Sequence, residues 1–338
     1  MKKLLFSALL AAGVLSTNAQ QDAAYSMYMF NGLYLNPAYA GSHEVVSLAA
    51  IYRHQWAGID GAPRTFNASV HSPLRRDQYA LGLTIANDRL GLTNMFSATA
   101  AFAFRVRLKG DEHKLSFGIQ AGFNYYQQRN TEAITDPANP SGPVNYDPSF
   151  SVNQNLFLPN VGAGVYAYGK RYFVGFSVPH LVPFSLNKQW KVSTSEAVAR
   201  QYNHFLFTAG YVFGKEAGIV KFKPTILMKY QQGLRYNVPD FDINANFLFL
   251  DRFWLGAGVK TGGDAYNRGL SKEKKFNAES VMGMFEMKIT PQLRAGYAYI
   301  YSLSQLRQYE TGTHEIMLGY DFWYDKKRFV TPRYVKYF

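Results

Sequence analysis

The sequence predicts an all-β chain closed into a transmembrane antiparallel barrel of roughly fourteen strands, and three observations lead there. Apolar and polar residues alternate with period two along most of the chain, as they do in strands with one face in an apolar medium and the other against polar groups. Most alternating runs reach or exceed the ~9 to 11 residues that a tilted strand needs to cross a bilayer. The connections between runs alternate between long and short, as in a barrel with loops on one side of a membrane and tight turns on the other. Composition agrees: of 338 residues 16% are aromatic and only 17% charged, with 25 Tyr, 26 Phe and 28 Gly. Rings with an apolar body and a polar tip suit a membrane interface.

Taken in order, the chain opens with "MKKLLFSALLAAGVLSTNA", two lysines followed by an apolar stretch from Leu4 to Leu15. That stretch falls short of the ~18 residues of a spanning helix, and Thr17 and Ala19 occupy the small-residue positions of a signal peptidase site. Residues 1–19 are therefore expected to be a removable secretory signal. The chain contains no Cys, which excludes disulfides, thiolate metal sites and Cys nucleophiles. Residues 20–43 follow as an aromatic-rich segment punctuated by Asn36-Pro37 and Ala40-Gly41-Ser42. Those turn formers predict an irregular element that lines or plugs the barrel mouth.

The barrel itself is expected over 44–325, with a tail at 326–338. Strands are predicted near 44–54, 64–73, 78–89, 92–108, 112–128, 157–169, 170–179, 202–214, 218–231, 238–250, 252–264, 276–289, 291–303 and 311–324. In "KLSFGIQAGFNYY", Leu115, Phe117, Ile119, Ala121, Phe123 and Tyr125 share one face, while Ser116, Gly118, Gln120, Gly122 and Asn124 share the other. Phe96, Phe102, Phe104 and Val106 oppose Ser97, Thr99, Arg105 and Arg107 in the same way, and the pattern recurs from Leu293 to Tyr301 and from Ile316 to Tyr324. Only the connection at "RL", Arg89-Leu90, breaks the alternation of long and short links. The longer loops are expected to face the exterior, with both termini periplasmic. A soluble sandwich fits less well, because its strands run ~5 to 6 residues. A propeller would carry a repeat of about 40 to 50 residues, and none is present.

The search for chemistry yields little. The seven His are dispersed without metal-ligand spacing, and no phosphate-binding loop or Gly-x-Ser-x-Gly elbow occurs. His71-Ser72 and "VSTSE" are the weak hints of a Ser hydrolase. Asp111-Glu112 and Asp240 with Asp242 read as solvated turn residues. No enzyme activity, cofactor or metal is expected. The formal charge is +13, and an export signal makes nucleic acid an improbable partner for that excess. Lysines at 272, 274 and 275 read as a solvated loop, Arg105 and Arg107 as residues of a wet lumen, and Tyr297, Tyr299 and Tyr301 as an interfacial girdle.

Two segments exceed what a generic barrel requires: "YMFNGLYLNPAYAGS" and "YRHQWAGIDGAPRTFNASVHSP". Through Asn31, Asn36, Pro37, Tyr39 and Gly41, then Arg53, Gln55, Trp56, Gly58, Gly61, Pro63 and His71, with "DRLG" at 88–91 and a terminal "TPRYVKYF", the chain resembles the PorP/SprF family of type IX secretion system membrane proteins of the Bacteroidetes. The tail departs from the family's Pro-Arg-Tyr-Phe-like ending by Val335 and Lys336. The resemblance implies a non-enzymatic barrel in outer-membrane lipid that helps export or retain a secreted cargo with a C-terminal sorting domain, often a large adhesin and sometimes one serving gliding. It also implies partners in the type IX translocon and among periplasmic or peptidoglycan-associated components. The two long inserts, 129–156 and 180–201, are the expected cargo contacts. Gln55, Trp56 and the turn from Gly58 to Pro63 are either a lumenal or rim dock or the closure of the first hairpin. A diffusion porin or nutrient channel is the alternative.

Overall fold

A computed structural model describes residues 25–74, 78–108, 113–132, 153–182, 184–185, 200–201, 203–231, 239–263 and 276–322. The expected signal at 1–19, most of both long inserts, "VSTSE", Asp111-Glu112, the lysines at 272–275 and the tail at 326–338 lie outside these residues.

Sixteen strands are present among the described residues. They are β1 (Val46–His54), β2 (Arg64–Pro73), β3 (Tyr79–Leu90), β4 (Thr93–Arg107), β5 (Lys114–Gln128), β6 (Gln154–Tyr168), β7 (Tyr172–Val178), β8 (Phe184–Ser185), β9 (Arg200–Gln201), β10 (His204–Tyr211), β11 (Val220–Gln231), β12 (Asp240–Phe249), β13 (Phe253–Gly263), β14 (Phe276–Lys288), β15 (Leu293–Ser302) and β16 (Thr313–Phe322). The short β8 and β9 pair only with each other. The remaining fourteen form one closed barrel in which each strand pairs with its neighbours in sequence, and β1 closes on β16 from Val46↔Phe322 to His54↔His314. Closure leaves no strand edge, so ladder amides and carbonyls are satisfied within the wall, which a bilayer core demands.

The two faces separate as the alternation predicts. Phe102, Phe104, Phe117, Ile119, Ile316 and Leu318 point outward, and Ile119 is 62% exposed. Such exposure is ordinary where the surroundings are acyl chains. The inward set is polar or small: Ser69, Thr84, Ser116, Asn124, Asn244 and Asn246 are all buried. Among the described residues no helix is long and apolar enough to cross a membrane.

Two differences from the sequence reading have plain causes. β6 begins at Gln154, ahead of the expected 157, because Gln154 and Asn155 extend the ladder opposite Gln128 and Gln127. Polar residues on both faces gave no period to read there. Asp242 is not a solvated turn residue: it is a buried lumenal side chain whose carboxylate lies 2.8 Å from Lys229 Nζ. Asp240 does begin β12.

The barrel therefore has a loop end, where β1 finishes and β16 starts, and a turn end, where β1 starts and β16 finishes. Turn-end links are short, such as Leu250-Asp251-Arg252, where Leu250 and Asp251 adopt φ of +52° and +55°. The β3–β4 link at Gly91-Leu92 is the short connection of the loop end.

Candidate functional site

Residues Tyr25 to His43 fill the lumen. Three short turns build the segment: a 3-10 turn at Tyr28–Phe30, an α-helical turn at Gly32–Leu35 and a second 3-10 turn at Pro37–Tyr39. Asn36 starts the last of these, its Oδ1 accepting from Ala38 N at 2.9 Å, with Pro37 in the first helical position, where its missing N–H goes unused. Each turn is too short to persist in water. Their apolar side chains instead pack in the barrel: Tyr25, Met27, Tyr28 and Phe30 join Leu227, Leu248, Trp254 and Met317 in one cluster. Leu33, Ala38 and Tyr39 join Ala80, Ala103, Tyr166 and Phe173 in another.

The segment runs the length of the lumen, from loop end to turn end. At the loop end Glu315, fully buried, accepts from Ser26 N and Met27 N at 2.9–3.0 Å and faces Arg53 Nη1 at 3.5 Å. In the middle, Asn31 donates to Asn67 Oδ1 and accepts from Ser69 Oγ, both at 2.6 Å. Asn36 Nδ2 donates to Val165 O at 3.0 Å and Phe176 O at 3.3 Å, while Ser177 Oγ donates to Leu35 O at 2.6 Å. At the turn end Gly41, with φ +73°, donates to His71 Nδ1 at 3.1 Å and accepts from Arg105 Nη1 at 2.6 Å. His43 Nδ1 lies 3.0 Å from Ser47 Oγ and 3.3 Å from Asp321 Oδ1, and Glu44 pairs with Lys114.

The wall is shaped for this guest. A Cβ on Gly118 of β5 would collide with the backbone of Pro37 and Ala38, and one on Gly164 of β6 would collide with the Asn36 amide. Bare backbone at those points lets the segment lie against the strands.

The second motif forms a clasp at the loop end. Gln55 N donates to Pro63 O at 2.9 Å, which closes the β1–β2 hairpin. The same nine-residue connection reaches both flanking connections. Trp56 N donates to Thr313 Oγ1 at 3.1 Å, Ala57 N to Gly312 O at 2.9 Å and Thr311 N to Ala57 O at 2.7 Å. On the other side Gly91 N donates to Gly61 O at 2.9 Å. Trp56 itself has φ +52°, and Gly58 and Gly61 have φ +98° and +73°. The short β3–β4 link, which broke the loop pattern, is thus the place where the clasp rests.

The predicted residues therefore fall into two sets. Asn31, Asn36, Pro37, Tyr39 and Gly41 lie in the plug, with Arg53 and His71 among the wall residues facing it. Gln55, Trp56, Gly58, Gly61 and Pro63 lie in the clasp. His71 meets a plug amide, and the Tyr39 and His43 rings lie 5.5 and 5.1 Å from it; Ser72 Oγ donates to Pro73 O. Arg105 is lumenal and bound to the plug, whereas Arg107 is exposed at the turn end. Tyr297 and Tyr299 bond to His314 Nδ1 at 2.7 Å and Thr311 O at 2.8 Å near the loop end. Among the described residues no three His, Asp or Glu side chains converge as metal ligands would.

Sequence reasoning missed Glu315 and Lys223. Lys223 Nζ is fully buried, 4.8 Å from the Trp254 ring and 5.5 Å from that of Phe30 in the plug, a cation–π arrangement. An inward Lys or Glu on an alternating strand looks like any lumenal polar residue, so only their contacts distinguish them.

Among solved structures, the chain is similar to the outer membrane protein Omp33 of Acinetobacter baumannii at 8% identity and a TM-score of 0.44, with 82% of this chain and 98% of that one covered. It is likewise similar to the monoaromatic hydrocarbon channel CymD at 12% identity and a TM-score of 0.49, covering 87% and 93%. Outer membrane phospholipase A of Escherichia coli gives 9% identity and a TM-score of 0.34, covering 88% and 97%. No curated protein matches the chain. The family model described as type IX secretion system membrane protein PorP/SprF matches residues 17–320, which include the plug, the clasp and nearly the whole barrel. The chain belongs to the PorP/SprF family and is an outer-membrane component of the type IX secretion system.

Proposed function

We propose that this barrel is a docking component rather than a conduit: it assists export or surface retention of a particular cargo, such as a large adhesin with a C-terminal sorting domain. The observation that carries the reading is the plug. A segment bonded to the wall at the loop end, the middle and the turn end, with apolar side chains in two lumenal clusters, occupies the space a diffusion pore would need. A barrel filled in this way offers its rim and its outer loops. The inserts at 129–156 and 180–201 are the proposed cargo contacts, since most hairpins here need only a few linking residues. In this reading the turn end faces the periplasm, where the other components of the system lie, and the chain performs no catalysis.

Affinity isolation of the tagged protein from detergent-solubilised outer membrane of its own host, followed by mass spectrometry, tests this. Recovery of a large surface protein together with type IX components, lost when the two inserts are shortened, is the expected result. A barrel recovered alone that conducts steadily in planar bilayers would overturn it in favour of a porin.

A further inference from the structure

We propose that the turn end of the barrel binds the anionic phospholipid headgroups of the leaflet in which it sits. The argument starts from where the basic excess lies. Exposed or half-buried bases recur around the turn end: Arg107 at the end of β4, Lys170 and Arg171 between β6 and β7, Lys215 between β10 and β11, Arg252 between β12 and β13, and Lys288 at the end of β14. The acids of the same end are largely turned toward the lumen and its mouth. Glu44 pairs with Lys114, Asp251 with Lys221 Nζ at 2.5 Å, and Asp321 with His43, leaving Glu216 as the one fully exposed acid among the described residues there. At the loop end, by contrast, exposed acids stand among the bases: Asp60, Glu132 and Glu279 are all exposed, the last two within 3.2 Å of Arg129 and 3.1 Å of Lys260.

These bases lie at or just beyond the ends of the barrel strands. Beside them stand exposed apolar side chains at the strand ends, including Phe213 at 51%, Ile219 at 67% and Leu250 at 66%. Leu250 is held outward in a left-handed turn position, which a bulky side chain rarely adopts. Arg252 lies with its guanidinium carbon 5.6 Å from the Phe253 ring centroid while its Nε donates to Lys288 O at 3.2 Å. A cation resting on a ring beside outward apolar residues is how basic side chains sit where acyl chains meet headgroups.

The distribution selects the partner. A protein docking from the periplasm would cover one sector, whereas these bases occur at five separate strand ends or turns around the ring. A lipid leaflet surrounds the barrel as they do, and its phosphates are the complementary charge. The inference rests on the membrane-spanning fold and not on the secretion role, so either reading can fail without the other.

The test reconstitutes the full-length barrel into nanodiscs of mixed phosphatidylglycerol and phosphatidylcholine and counts the lipids retained on the protein by native mass spectrometry. Wild type is expected to retain phosphatidylglycerol about tenfold over its share of the mixture, less so in high salt, since bases near an anionic surface each add a small increment. A variant carrying Lys170→Gln, Arg171→Gln, Lys215→Gln and Arg252→Gln should lose the preference. One carrying Arg64→Gln, Arg89→Gln, Arg129→Gln and Arg307→Gln, with the same charge change at the loop end, should keep it. If the turn-end variant fails to fold, the pair Lys170→Gln and Arg171→Gln alone should lower the preference measurably. No preference in wild type, an equal loss from the loop-end variant, or capture of an acidic protein in place of lipid would each overturn the proposal.

Discussion

Glu315 gathers two plug amides and faces a guanidinium from a position with no exposure to solvent. A buried carboxylate held this way is stabilised only while its partners stay in place, and removing its charge leaves Arg53 buried beside a weaker acceptor. Glu315→Gln is therefore expected to destabilise the loop-end anchorage of the plug by about 1–3 kcal/mol, read as faster hydrogen exchange at the amides of Ser26 and Met27. Asn36 serves differently, capping a turn through its oxygen and pinning two strands through its nitrogen. Asn36→Ala should cost about 1–2 kcal/mol, measured as a lower temperature for the heat-induced mobility shift of the folded barrel in detergent. Asn31, Asn36 and Gly41 stood out in the sequence because neither a strand nor a long helix accommodates that mixture with Pro37. Their partners did not stand out, because an inward Ser69 or Glu315 obeys the same alternation as its neighbours.

At the scale of elements, the plug and the wall specify each other. Gly118→Val would drive a branched side chain into the Pro37–Ala38 backbone, so the segment must leave that wall or the strand must bend. Planar-bilayer recordings should show weak conductance for wild type and frequent openings for Gly118→Val; equal, steady currents from both would mean that the plug does not limit flow. The clasp makes a separate prediction. Its bonds to Thr313, Gly312 and Gly91 involve main-chain groups of the Trp56–Gly61 turn, so Trp56→Ala keeps them while removing the ring. Cargo retention on whole cells should fall several-fold with barrel assembly intact, and loss of both together would make the motif purely structural. Gly58→Ala, at φ +98°, should instead destabilise the rim by about 1–3 kcal/mol.

For the whole molecule, the barrel was legible because one physical constraint, acyl chains outside and polar groups inside, repeats on every strand. Fourteen strands follow from that repetition, and the alternation of loop lengths from a bilayer that separates one mouth of the barrel from the other. It says nothing about what occupies the lumen. The plug's turns are held by long-range contacts such as Asn36 with Val165, Ser26 with Glu315 and Gly41 with His71, and no local pattern encodes them. The rim was half legible: the glycines at 58 and 61 marked a turn, but its contacts with Gly91 and Thr311 depend on the order in which strands close.

That order has a consequence for biogenesis. The ring is completed by pairing its first strand with its last, and the segment in the lumen is continuous with that first strand at the turn end. Threading Tyr25, Tyr28 and Phe30 afterwards through a finished ring would drag bulky rings past Asn36's partners and the Gly118 wall to reach the far mouth. The nascent sheet must instead curl around a guest already lying on it. Whatever machinery inserts this protein must then hold β1 apart from β16 until the N-terminal segment is seated, so that a displaced plug would stall insertion itself.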